Sequence, residues 1–234
     1  MPRHFGVLIP STNTTVEVEF TRLLPESLQF HVARLGKGGD TPFSPSLDAD
    51  VAYQSKMLSN AKVEVICLIQ TSASLFEDGY DARIKALITE NSGIPATTSA
   101  EAIGGAATAL GTKRIALVSP YSEEVIGRAK RFYETHCGLE VVAMEGFGAT
   151  DAYAIGALDE THALEAFERI DNPDIEALVV PGGNFPTMRH VAAWEARFGK
   201  PVITTNQVVL WSVMKEMGVA EPIPGFGRLL AELP

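Results

Sequence analysis

The segment LVVPGGNFPTMRH, residues 178–190, decides the fold. Leu178 to Val180 form a short apolar run that breaks at Pro181 into Gly182, Gly183 and Asn184, and an amphipathic stretch follows. In a parallel α/β protein this order reads as a strand, a tight turn and a helix N-terminus, with bare backbone N–H groups directed at the crevice beyond the strand. Such a turn is a seat for an anion. The same order occurs in EVICLIQTSAS, where Glu64 to Ile69 reads as a strand and Gln70, Thr71 and Ser72 occupy the turn.

These two segments belong to a longer repeat. EVICLIQT matches EALVVPGG with Glu64 and Glu176 112 residues apart, LIPST matches VSPYS with Pro10 and Pro120 110 apart, and SGIPATTSAEAI matches FGKPVITTNQVV with Pro95 and Pro201 106 apart. Three matches in one order at nearly constant spacing define a duplicated chain. The expected fold is α/β, with two pseudo-symmetric half-domains, each a mostly parallel sheet flanked by helices, and the site in the crevice between them. Boundaries are expected at 1–98 and 99–206, with residues 207–234 a C-terminal helix and tail packing back on the N-terminal half. A pseudo-twofold then brings four turns together: residues 10–13, 70–72, 120–122 and 181–184.

The remaining elements follow in order. FGVLIP is a strand; Thr14 and Glu17 have capping-box spacing for a helix running toward Leu24, and Pro25 stops it. Gln29 to Leu35 alternates as a strand, and GKGGDTPFSPSL, residues 36–47, is a long loop, either a lid or a surface excursion. Helices are expected over residues 48–61 and 80–91, and a helix of small residues follows the strand entered through Gly93 and Pro95. RIALVSPYSEE is a strand and turn with Ser122 as N-cap, residues 125–135 are helical, and LEVVAMEGF is a strand. Ala152 to Ile170 reads as one helix, and the apolar helix from Val208 to Met217 suits either a subunit interface or the core.

Composition narrows the function. A net charge of −10 leaves no basic stripe to neutralise phosphates, which argues against nucleic acid as partner. No stretch reaches membrane-spanning length, and the N-terminal apolar run is too short for a signal peptide, so cytoplasmic residence is the expectation. Cys67 and Cys137 are too few for a disulfide framework, and the five histidines show no metal-ligand spacing. No GxGxxG follows the first strand, and LGKGGD lacks the spacing and hydroxyl of a phosphate loop.

LIPSTNT, QTSAS after a strand, GIPATTSAEA, VSPYSEE, PGGN and GKPVITTNQVVLW together resemble the aspartate/glutamate racemase superfamily, in its maleate isomerase and arylmalonate decarboxylase branch. The resemblance covers nearly the whole chain. It implies two half-domains holding a small carboxylate between them, no cofactor, and a homodimer. It also implies a cysteine at each of two symmetry-related turns in isomerases and racemases, and at the second alone in arylmalonate decarboxylases. Here those positions are Gln70 and Gly182, and the family's Asp-Asn pair becomes Asp151-Ala152. Cys67 does not substitute, because three residues along a strand reverses the face and the repeat pairs it with Val179 inside the matching strand. A two-cysteine racemase and a covalent cysteine adduct are both unsupported.

What chemistry remains lies in the turns. Tyr121, Thr71 and Ser72 are the candidate catalytic groups, and Ser11, Asn13, Gln70, Ser122, Gly182, Gly183 and Asn184 the candidate substrate ligands. Such donors suit an enediolate, the charge that develops when a malonate-like acid loses carbon dioxide or a carbon acid loses a proton. The expectation is a cofactor-independent decarboxylase or isomerase of a small carboxylate. Its alternative is a catalytically silent carboxylate-binding member of the same superfamily.

Overall fold

A computed structural model describes residues 1–40 and 43–232, so Thr41 and Pro42 of the long loop and Leu233 and Pro234 of the tail lie outside the described residues. In the first half, strands β1 (Arg3–Pro10), β2 (Leu28–Leu35), β3 (Ile66–Leu68) and β4 (Ala96–Thr98) form a sheet in the order β2-β1-β3-β4. The second half gives β5 (Arg114–Tyr121), β6 (Glu140–Ala149), β7 (Ala177–Val180) and β8 (Val202–Thr204) in the order β6-β5-β7-β8. Every named pairing is parallel, and the two orders are the same arrangement repeated. The duplication read from the sequence is therefore a duplication of topology.

Parallel strands need crossovers that cover both faces, so the central strands are apolar over their middle residues. Val7, Leu8, Ile9, Leu117, Val118, Leu178 and Val179 are all wholly buried. Helices α1 (Val16–Leu23), α2 (Asp48–Asn60), α3 (Tyr80–Ser92) and α4 (Ser99–Ala109) serve the first half. Helices α5 (Glu123–His136), α6 (Ala152–Ile155), α7 (Glu160–Ile170), α8 (Val191–Phe198) and α9 (Thr205–Met217) follow, then α10 (Gly227–Glu232). A short 3-10 helix, Thr71–Leu75, follows β3, and another, Met188–His190, precedes α8.

One core cluster crosses between the halves, and a smaller one, with Val51, Leu58, Tyr80, Ile84 and Ile88, lies around α2 and α3. The crossing is made chiefly by α4 and α9. Helix α9 packs on α4 and also meets β3 and β4, while α4 meets β8, so each helix touches the opposite sheet. Val208, Val209, Leu210, Val213 and Met214 are fully buried, which makes α9 a core helix of the chain itself. Helix α10 lies against α8 and α9.

Three local expectations are corrected. The first helix begins at Val16, and its N-terminal N–H groups are taken by Asn13, whose Oδ1 accepts from Thr15 and Val16 at 3.0 Å each. Thr14 does not cap because its hydroxyl donates to Asn184 Oδ1 at 3.3 Å, as its N–H does at 2.7 Å, and Glu17 pairs with Arg34 instead. The single helix expected over 152–170 is broken between Ile155 and Glu160. Gly156 lies so close to Thr14 that a Cβ there would be 2.3 Å from its hydroxyl, and Asp159 restarts the helix with a capping box to His162. Third, no helix starts at Asn184; the chain runs on to Met188 before it coils.

Helix α4 needs its small residues for a stated reason. A Cβ at Gly104 would lie 2.5 Å from Cys137 Sγ and 2.8 Å from Cys137 Cβ, so the end of α5 would have to move. Gly104→Val is expected to destabilise the protein by about 1–3 kcal/mol through overpacking, as read by urea unfolding.

Candidate functional site

Because all strands of each sheet run the same way, the C-terminal ends of β1, β3, β5 and β7 open into one crevice. Their turns line one inner cavity, with Asn13 from the first, Gln70, Thr71 and Ser72 from the second, Tyr121 from the third and Gly182, Gly183 and Asn184 from the fourth. It is small and opens toward solvent, with its lining shared between the two halves. A neighbouring outer cavity shares Pro10, Thr12, Phe43, Gln70, Ser72 and Ala152 and adds Ser11, Lys37, Asp151 and Tyr153. Ser122 lines neither, and Ser11 lies only at the exposed outer part.

The polar groups divide into those available to a ligand and those already bonded. Among the described residues, the backbone N–H groups of Thr71, Ser72, Gly183 and Asn184 have no protein acceptor. The Gly182 N–H is taken, donating to Thr205 Oγ1 at 2.8 Å, and the turn closes with Phe185 N–H on the Gly182 carbonyl at 2.9 Å. The anion seat expected at a helix N-terminus is instead an open turn facing a 3-10 helix start. Thr71 is oriented from behind by Ser99, hydroxyl to hydroxyl at 2.8 Å, and Ser72 lies beside the Tyr121 phenol.

Tyr121 is 3% exposed, and burial pushes its phenol well above the ordinary tyrosine value. It therefore stays protonated and presents a donor. Its ring packs edge-on against Phe43 at 5.2 Å between centroids. Position 182 faces the same phenol, since a Cβ built there would be 3.8 Å from the Tyr121 oxygen. That space carries no side chain, and the backbone at Gly182 has φ of 122°, with Pro120 Cγ only 3.0 Å from the same Cβ.

Gln70 and Asn184, both expected as ligands, line the cavity but use their side chains internally. Gln70 Oε1 accepts from Ser46 N–H at 3.1 Å and Ser46 Oγ–H at 2.9 Å, and its Nε2 donates to the Ser44 carbonyl at 2.9 Å. It holds the loop against the site, including Phe43, whose φ of 65° is a costly backbone for a bulky residue. Asn184 Oδ1 accepts from Thr14, and its Nδ2 donates to the Ala152 carbonyl at 2.7 Å. Neither cysteine lines either cavity: Cys67 is buried in β3, and Cys137 abuts Gly104 at the end of α5. His190 is also elsewhere, stacked on Trp194 at 5.7 Å. Among the described residues, no group of three or more His, Cys, Asp or Glu could hold a metal, and no helix is long and apolar enough to cross a membrane.

Sequence reasoning missed Glu19. It stands behind the PGGN turn at 6% exposure, with Oε1 accepting from Met188 N–H at 2.9 Å and Oε2 from Asn206 Nδ2 at 2.6 Å. Its spacing from Val16 and Phe20, both buried, placed it on the inward face of α1. Burial raises its carboxyl to about 7, opposed by bonds from Asn206, Met188 and Thr187 and by the charge of Arg189.

Four strand-end turns meeting at one small cavity between duplicated parallel halves define an α/β architecture with its candidate site at the strand ends. The arylmalonate decarboxylase family profile matches residues 5–230, and the chain belongs to that family. It is 27% identical to the arylmalonate decarboxylase of Bordetella bronchiseptica over 234 residues, covering 97% of this chain and 96% of that protein. It is 25% identical to the maleate isomerase of Geobacillus stearothermophilus over 249 residues, covering 99% of each. Among solved structures, a variant of the maleate isomerase Iso from Pseudomonas putida S16 with maleate superposes with a TM-score of 0.88 at 25% identity, covering 100% of this chain and 99% of that one. The relatives are thus enzymes of the maleate isomerase and arylmalonate decarboxylase branch.

Two tests follow from these contacts. Gln70→Ala should cost about 1–3 kcal/mol, because it leaves the buried Ser46 N–H without its acceptor. Hydrogen exchange should then accelerate at Ser46 while α9 stays protected. For Glu19 the folded pKa lies above the unfolded one, so its contribution is full below the ordinary carboxylate value and is lost as pH rises through about 7. Guanidinium unfolding should show a fall on the order of 3 kcal/mol across that window, absent in Glu19→Gln.

Proposed function

We propose that this chain is a cofactor-independent enzyme acting on a small carboxylate or dicarboxylate through hydrogen-bond donor turns, without a catalytic cysteine. The observation that carries the reading is the pairing of two unoccupied donor turns, Thr71-Ser72 and Gly183-Asn184, across a cavity that also holds the Tyr121 phenol. The relatives' activities on arylmalonate and maleate supply the substrate class.

The chemistry that suits these groups is malonate-type decarboxylation. One carboxylate of the substrate rests on a donor turn, and the other leaves as carbon dioxide when its C–C bond breaks. The bond's electron pair passes into the remaining carboxyl group as an enediolate, which the N–H and hydroxyl donors stabilise. The carbon then takes a proton. Tyr121 is the acid this reading assigns, since an enediolate carbon is a much stronger base than a phenolate and the phenol is reprotonated by water. Maleate isomerisation through a cysteine adduct is disfavoured, because neither cysteine lines the cavity.

A thermal-shift screen over malonates, maleate and hydroxy or amino diacids, followed by product analysis on each hit, tests the proposal. A ligand at 100 times its Kd should stabilise the fold by about 2.7 kcal/mol. Turnover is expected on at least one malonate, with Tyr121→Phe or Ser72→Ala lowering kcat by roughly 10²–10³. Binding across the panel without any product would replace the enzyme with a silent carboxylate-binding protein. Retention of full activity in both variants would remove these residues from the chemistry.

A further inference from the structure

We infer that Glu19 is a positioning residue for the fourth turn: acting through Asn206, it fixes the peptide unit between Gly183 and Asn184, and its two protonation states fix that unit differently. The inference concerns the turn itself; only its consequence for ligands rests on the carboxylate reading.

The chain of contacts is short. Asn206 Nδ2 donates both to Glu19 Oε2 at 2.6 Å and to the Gly183 carbonyl at 3.2 Å. A trans peptide is planar with its C=O and N–H opposed, so an anchored Gly183 carbonyl directs the Asn184 N–H away from Asn206. No cis peptide occurs among the described residues. The Asn184 N–H is one of the unoccupied donors of the cavity. Glu19 therefore stands two hydrogen bonds behind a peptide unit whose N–H has no protein acceptor and whose two residues line the cavity.

Asn206 also carries an unpaid cost that identifies what holds it. Its Oδ1 is buried without a hydrogen-bond partner, and it would lie 3.4 Å from a Cβ at Gly183. An amide would turn over to relieve such an atom unless the reverse orientation were worse. With Glu19 ionised it is worse, because the flipped oxygen would face both a carboxylate and the Gly183 carbonyl. Protonation of Glu19 removes the charged part of that obstacle and supplies a donor in its place. The carboxyl O–H then donates to a flipped Asn206 Oδ1, the orphan acceptor is satisfied, and the Gly183 carbonyl loses its donor.

The surroundings suit a group that changes state near neutrality. Met188 N–H and Thr187 N–H from the 3-10 segment, and neutral Asn206 from α9, bond to the carboxyl, and Arg189 is the charged group acting on it. Arg22 of α1 and Arg189 line a cavity beside it together with Thr14 and Thr15. Burial outweighs these partners and places the midpoint at about 7.

The test is a two-dimensional amide NMR titration of the full-length protein from pH 5.5 to 8.5. In the wild type, Met188, Gly183 and Asn184 amides should shift together with one midpoint near 7, and in Glu19→Gln that step should vanish from all three. Asn206→Ala separates relay from proximity: Met188 keeps its step, since it bonds Glu19 directly, while Asn184 loses it. A step that persists in Glu19→Gln, its absence from the wild-type Asn184 amide, or its survival at Asn184 in Asn206→Ala overturns the inference. Malonate affinity measured on the same samples should be about tenfold tighter above the midpoint than below it, the size of one lost hydrogen bond. That dependence should be flat in Glu19→Gln. If the amides titrate as described but malonate binds no state, the carboxylate reading fails while the positioning role stands.

Discussion

The side chain of Asn184 is the junction on which the site depends. It accepts from Thr14 of the first half, donates to Ala152 of the second, and stands in the turn that lines the cavity. Thr15 Oγ closes the same junction by donating to the Asn184 carbonyl at 2.7 Å. A buried amide with its donors and acceptors matched in this way costs little to bury and much to break. The α4–α9 packing sets the two sheets against each other, and Asn184 ties them together again at the cavity wall. Donor turns contributed by separate halves can face each other only because of such ties.

Much of this was legible in the chain. The repeat of EVICLIQT in EALVVPGG and of SGIPATT in FGKPVITT reported the duplicated sheet order, since strand periodicity and strand-end turns are local properties of sequence. The identity of the cavity turns followed from the same rule, because parallel strands present their C-terminal ends together. What local pattern cannot reveal is how a polar side chain distributes its bonds. Gln70 and Asn184 were legible as cavity residues, but their partners Ser46, Thr14 and Ala152 come from other elements, and only the closed fold brings them within reach. Ser122 failed to reach the cavity for a similar reason. The register of β5 shifts between Ser119 and Tyr121, so the phenol turns inward and the next residue starts α5.

The cavity combines rigid and adjustable parts. Thr71, Ser72 and Tyr121 are all buried, with Thr71 held from behind by Ser99 and Tyr121 packed on Phe43, which favours donors that need little reorganisation when charge develops. The loop bearing Phe43 and Ser46 is held mainly by Gln70, at the position where the resemblance implies a nucleophile. At that position the amide shapes the wall of the cavity by bonding Ser46 and Ser44.

Gly182 extends this point to the fourth turn. Its backbone lies in a region L-residues rarely adopt, and Pro120 crowds the space a side chain would enter. Any side chain introduced there would carry backbone strain and would press on Pro120. That corner of the cavity is therefore shaped by backbone alone, with the Tyr121 phenol facing it.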